Sequence, residues 1–189
     1  MIVFKEKKDF LAAKAWHDHG HENNPKLPRW EDSRKKSGFN YRMTELQAAV
    51  GLAQLKKLSK ILRLHKKNRN LIWSKIKSLK IELREVPKKN IETFEALIFF
   101  VKNNQIAKNC RKNLNKLGIF TKILPEATTW HFSKYWSHIP ELKKKHKYLS
   151  KCFKQSENIL KKSISIPINI RMNRKLPDLI YRAIAEATK

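Results

Sequence analysis

The sequence predicts a mixed chain, α/β grading into α+β, in which a mainly helical stretch over residues 1–79 leads into a small α+β domain over 80–189. Three observations carry that expectation. Apolar residues after Thr44 recur at helical spacing, the pattern after residue 80 changes to strand-like alternation, and the stretch from His19 to Ser37 has no apolar period. One strand and three helices lack the partners to close a core, so residues 1–79 read as the edge of something larger.

The elements follow in order. Ile2-Val3-Phe4 reads as a short strand, and residues 7–18 as a helix through Phe10, Leu11, Ala13 and Trp16. HGHENNPKLPRWEDSRKKS, residues 19–37, is a loop of a length that compact proteins usually keep for function. Thr44-Glu45-Leu46-Gln47 has capping-box form, so a helix starts there and aligns Leu46, Ala49, Val50, Ala53, Leu55 and Leu58 on one face. A second helix spans about 60–79. IELREV and FEALIFFVK then read as strands, residues 105–117 as a helix stopped at Gly118, and IFTKIL as a further strand. After an aromatic loop come a lysine-rich helix near 141–161, the strand SISIPI and a last helix over 173–187.

Composition narrows the class. At 41% hydrophobic and 31% charged, 189 residues form a globular chain rather than a disordered one. The net charge of +27 invites a nucleic-acid reading, but the excess comes from 33 lysines against 10 arginines, spread without a basic block or an aromatic RNA-binding motif. Neither nucleic acid nor membrane is the expected partner. No apolar run reaches a membrane-spanning length and MIVFKEKKDF turns charged too early for a secretory signal, so the expected location is cytoplasmic. Cys110 and Cys152 lack metal-site or disulfide-framework spacing and read as two buried, reduced thiols.

The best-organised stretch is GFNYRMTELQAAVGLAQLKKL. Just before a capped helix the backbone is extended, so Asn40 and Arg42 share one side while Phe39, Tyr41 and Met43 share the other. An amide beside a guanidinium near a helix N-terminus is a receptor for phosphate or carboxylate. The plainer alternative is that Asn40 caps a turn and Arg42 pairs with Glu45 on the surface.

GFNYRMTELQAAVGLAQLKKL, preceded by MIVFKEKKDFLAAKAW and HDHGHENNPKLPRWEDSRKKS, resembles the DegT/DnrJ/StrS family of pyridoxal-phosphate-dependent sugar aminotransferases. Its Gly-x-Asn-x-Arg-Met, Glu-Leu, Ala-Ala-x-Gly and Gln-Leu elements match in order over residues 1–70. The match continues more weakly to the C-terminus. HDHGHENNP and TKILPEATTWHF are most similar to the branch that aminates C8 of a 3-deoxy-octulosonate, the 8-amino-3,8-dideoxy-manno-octulosonate transaminases.

The resemblance implies the C-terminal part of a fold-type I transferase: the edge of the large domain with its dimer-interface loop and helices over 1–79, and the small domain over 80–189. It implies a homodimer with active sites at the subunit interface. Pyridoxal 5′-phosphate is the implied cofactor, and a keto-sugar and glutamate are the implied substrates, in surface-polysaccharide or sugar biosynthesis. Asn40 would reach the cofactor phosphate of the partner subunit, and Arg42 would lie near the anionic substrate. The Schiff-base lysine, the acidic residue against the pyridinium nitrogen and the aromatic stacked on the ring precede this part in the family. None of the 33 lysines sits in the expected context, so no catalytic residue is assigned and the chain alone is expected not to transaminate.

Other groupings have competing readings. His17-Asp18-His19-Gly20-His21-Glu22 has metal-ligand chemistry but no distant fourth ligand, and the resemblance places it on a loop near the active site. His19 is therefore taken as substrate-facing, with no metal. Trp130 and His131 either stack on and hydrogen-bond a sugar or anchor their loop in the core. Lys143-Lys144-Lys145 and Lys161-Lys162 read as solvated helix faces. Two rival functions stand beside the enzyme: a basic nucleic-acid-binding module, and a non-catalytic partner subunit of a full-length homologue.

Overall fold

The computed structural model describes residues 2–120, 132, 135–146, 148 and 151–189. The chain forms two compact units, Met1–Lys57 and Leu58–Lys189. This division falls earlier than the 79/80 boundary read from sequence. Its cause is the helix that opens the second unit, whose Ile72 and Ile76 are buried in the same core as the sheet.

In the first unit, α1 (Lys7–His17) ends where Gly20 N–H donates to Ala15 O at 2.7 Å, with His19 at φ 56° and Gly20 at φ 84° turning the chain. The loop that follows contains a 3-10 turn at Arg29–Glu31 and is closed by two isolated bridges, Asp18 with Asn40 and His21 with Arg34. α2 (Glu45–Leu55) begins at a complete capping box: Gln47 N–H donates to Thr44 Oγ1 at 3.2 Å and Gln47 Oε1 accepts from Thr44 N–H at 2.9 Å. The strand expected at residues 2–4 does not form. No described strand pairs with it, and Ile2 and Val3 are exposed.

The second unit is a three-stranded antiparallel sheet covered by helices. Its strands are β1 (Glu82–Leu83), β2 (Ala96–Phe100) and β3 (Ser163–Pro167), with β2 in the middle. Register pairs Leu97 with Ile166 and Phe99 with Ile164, so these side chains share one face. α3 (Leu58–Ile76), α4 (Asn104–Lys116) and α7 (Leu176–Thr188) supply the rest of the core through Ile72, Ile76, Ala107, Leu114, Ile180 and Ile184. Asn68 ties α3 to the segment after β3, its amide donating to Asn169 O at 2.7 Å. α4 is capped by Asn103 and stops in a Schellman turn, with Gly118 N–H on Asn115 O and Ile119 N–H on Leu114 O. Gly118 sits at φ 72°, as the stop predicted from sequence requires.

Two sequence expectations change here. Among the described residues the stretch read as one lysine-rich helix over 141–161 holds two helices, α5 (Pro140–Lys145) and α6 (Lys154–Lys162); α5 ends at His146, and Phe153 at φ 62°, in the left-handed region, stands immediately before α6. Both cysteines are free, but only Cys110 is buried; Cys152 is half-buried and donates to Tyr148 O at 3.3 Å. Of the expected strand IFTKIL, Ile119 and Phe120 lie outside any strand, and the remainder falls outside the described residues. No helix among the described residues is long and apolar enough to cross a membrane.

Candidate functional site

The first unit assembles its polar residues where the Gly38–Tyr41 segment runs beside the end of α1. Phe39 N–H donates to Trp16 O at 2.8 Å, Tyr41 N–H to His17 O at 2.9 Å, and His19 N–H to Phe39 O at 3.1 Å. Two glycines permit this approach. A Cβ on Gly38 would stand 2.5 Å from Trp16 O and 2.9 Å from the His19 carbonyl carbon, both backbone atoms that cannot swing aside.

The extended segment sorts its side chains as the alternation predicts. Trp16, Phe39 and Tyr41 pack ring to ring, with centroids 5.3, 5.4 and 5.8 Å apart. All three rings stay exposed at their outer edges, and Met43, expected beside them, is exposed as well. On the opposite side Arg42 Nε donates to Asn40 Oδ1 at 3.1 Å. The Asn40 amide nitrogen and both Nη groups of Arg42 have no hydrogen-bond partner among the described residues.

Beneath this pair lies Asp18, its side chain 5% exposed. Arg29 grips it with both terminal nitrogens, Nη1 to Oδ2 at 3.0 Å and Nη2 to Oδ1 at 2.5 Å, while Arg42 Nε approaches Oδ1 at 3.3 Å. Arg42 thus turns to Asp18 rather than to Glu45. The hydrogen bonds from Arg29 hold the Asp18 carboxyl down at about 2, against the opposing effect of burial and with further help from Arg42 and His21. The same contact raises Arg29 above its usual value.

A second buried carboxylate braces the loop. Asp32 accepts from Asn23 N–H at 2.8 Å, Asn24 N–H at 3.2 Å and His21 Nδ1 at 3.2 Å. Burial pushes its carboxyl up, and the Asn24 and Asn23 amides with His21 outweigh that and lower it. Further out, Glu22 accepts from the Ser33 hydroxyl and pairs with Lys35, which lowers its carboxyl.

The structure therefore brings Asn40 and Arg42 together and sets His19, exposed at φ 56°, in the turn they run beside. Trp130 and His131 lie outside the described residues. The His17–Glu22 run divides between ion pairs: Asp18 serves the arginines and His21 serves Asp32. Among the described residues no three His, Cys, Asp or Glu side chains converge to hold a metal. Arg29 and Asp32 were not singled out from sequence, since they meet Asp18 and His21 across 11 residues of loop with no periodic pattern to link them.

Solved structures share the fold. Helicobacter pylori PseC, an aminotransferase of pseudoaminic acid biosynthesis, matches at TM-score 0.73 and 18% identity over 98% of this chain and 47% of its own. The sugar aminotransferase CalS13 from Micromonospora echinospora matches at 0.73 and 14% over 97% and 46%. E. coli GDP-4-keto-6-deoxy-D-mannose-3-dehydratase with bound hydrated PLP matches at 0.67 and 19% over 96% and 49%. The chain thus spans about half the length of these neighbours, and the architecture is part of the fold-type I PLP-dependent transferase. The family model described as DegT/DnrJ/EryC1/StrS aminotransferase matches residues 1–185, and the chain belongs to that family, whose cofactor is pyridoxal phosphate.

Proposed function

We propose that this chain is the C-terminal portion of an aminotransferase that moves an amino group from glutamate to a keto-sugar in the cytoplasm, acting as a homodimer. The observation that carries the reading is the Asn40–Arg42 pair, whose amide nitrogen and two Nη groups have no hydrogen-bond partner among the described residues and lie on one exposed side. Three such donors fit the oxygens of a phosphate and a neighbouring carboxylate. When bound, pyridoxal phosphate supplies an electron sink on which the amino group is carried between donor and acceptor.

The residues of this chain bind and orient. Asn40 donates its amide nitrogen to the cofactor phosphate of the partner subunit, which accounts for that nitrogen having no partner among the described residues. Arg42 holds an anionic group of the substrate, and His19, Trp130 and His131 contact the sugar. None of the 33 lysines is assigned as the Schiff-base lysine, so the chain by itself is inactive. The HDHGHENNP and TKILPEATTWHF stretches favour an eight-carbon 3-deoxy keto acid as the sugar.

The test uses the native protein purified from its source. Glutamate should convert bound cofactor to its amine form, read by absorbance, and a keto-sugar should restore the aldehyde form. No spectral change with glutamate in native protein that carries bound cofactor contradicts the reading, whereas this chain expressed alone should show none.

A further inference from the structure

Asn68 is 7% exposed, and two carbonyls fix its amide: Nδ2 donates to Asn169 O at 2.7 Å and to Ile170 O at 3.2 Å. Two acceptors on one arm leave no choice of orientation, since a flipped amide would set oxygen against oxygen. Oδ1, on the other arm, accepts no hydrogen bond among the described residues. An acceptor on a buried side chain that lacks a donor favours any group that supplies one.

Asn68 lines a hollow of about 560 Å³ within the second unit, together with Lys67, Leu71 and Lys75 of α3 and with Met172, Arg174 and Asp178 from the segment that leads into α7. That volume is in the range of small-molecule sites. The charges of its wall do not balance. Lys75 Nζ stands 2.7 Å from Asp178 Oδ1, so these two cancel, and Lys67 and Arg174 remain, exposed and without a carboxylate partner among the described residues. Leu71, exposed, and Met172, half-buried against the core, add an apolar patch.

Three features thus act on one ligand. A simple phosphate uses the two cations but leaves the Asn68 oxygen and the apolar patch unmet, and a neutral sugar leaves the cations unmet. A nucleotide meets all three: its phosphate takes Lys67 and Arg174, its flat base covers Leu71 and Met172, and an amino group on the base donates to Asn68 Oδ1. We propose that the hollow between α3 and the start of α7 binds a free nucleotide whose base carries an amino group. The site uses none of the residues assigned to the cofactor phosphate or the keto-sugar, and it stands independently of the aminotransferase reading.

The test titrates the full chain with AMP, adenosine, inorganic phosphate and N6,N6-dimethyl-AMP, and reads the NMR signals of the Met172 methyl and the Asn68 side-chain amide. The net charge of +27 attracts any anion, so the comparison of AMP with phosphate is decisive. AMP should shift both signals and bind more tightly than either phosphate or adenosine. Dimethylation removes the base's donor and should weaken binding roughly tenfold, the cost of leaving the Asn68 oxygen unmet. This change on the ligand tests Asn68 without breaking its two bonds to the backbone. Lys67→Gln and Arg174→Gln, both at exposed positions, should each weaken AMP roughly fivefold. Phosphate that binds as tightly as AMP would mean an adventitious ion only. That outcome, no shift with AMP, equal affinity for the dimethylated nucleotide, or undiminished affinity in both variants overturns the proposal.

Discussion

Arg42 Nε stands 3.3 Å from Asp18 Oδ1, joining the segment before α2 to the end of α1 through a carboxylate that is almost wholly buried. That contact makes acid the specific stress for the first unit. Asp18 titrates near 2 in the folded chain against its usual 3.8, so its contribution is fully present above about pH 4 and is lost as pH falls through 2. The contribution is about 1–2 kcal/mol, discounted because Arg29 is half exposed to screening solvent. Asp18→Asn should flatten this acid limb in a pH series of chemical melts followed through the NMR signal of the Trp16 indole N–H. An unchanged limb would mean that other carboxylates set it.

Two glycines should respond oppositely to alanine. Gly38→Ala forces a Cβ against the backbone of Trp16 and His19 and should cost about 1–3 kcal/mol. Gly51→Ala, inside α2 with nothing within 4 Å of the new atom, should stabilise by about 0.5–1 kcal/mol. Denaturation midpoints of the two variants on either side of the parent check the pair at once.

In the second unit Phe99 is fully buried at the centre of the sheet. Phe99→Ala should lower stability by about 3–5 kcal/mol, whereas Ile91→Ala, at a side chain 91% exposed, should stay within about 0.5 kcal/mol. Urea titration by circular dichroism separates these outcomes, and similar midpoints would place Phe99 outside the core.

α2 carries Leu46, Val50, Leu52 and Leu55, all more than half exposed. An apolar face of that size calls for a cover, so the chain by itself should self-associate. Sedimentation velocity should show oligomers that shift toward monomer in Leu52→Glu/Leu55→Lys. A concentration-independent monomer in the parent would contradict the expectation.

What the sequence made legible was what neighbouring residues decide. The capping box at Thr44–Gln47, the α4 stop at Gly118 and the two-sided segment around Asn40 each depend on a few adjacent side chains and a fixed backbone period. The misses depend on distance. α3 looked like the end of the first part because its periodicity runs on from α2, but its Ile72 and Ile76 are claimed by strands that come later. The start of α6 follows a left-handed residue, Phe153, whose side chain gives no signal for that conformation. Asp18 resembled a metal ligand among histidines because its true partners, Arg29 and Arg42, are 11 and 24 positions away.

The account turns on Asn40 serving a cofactor phosphate in a neighbouring subunit, and the direct measurement is the PLP dissociation constant of the native protein and its Asn40→Ala variant. Loss of one hydrogen bond to a charged phosphate should weaken PLP roughly tenfold while leaving the melting of the first unit in place. Equal dissociation constants would remove Asn40 from the cofactor site and with it the reading of the exposed pair as an intersubunit contact.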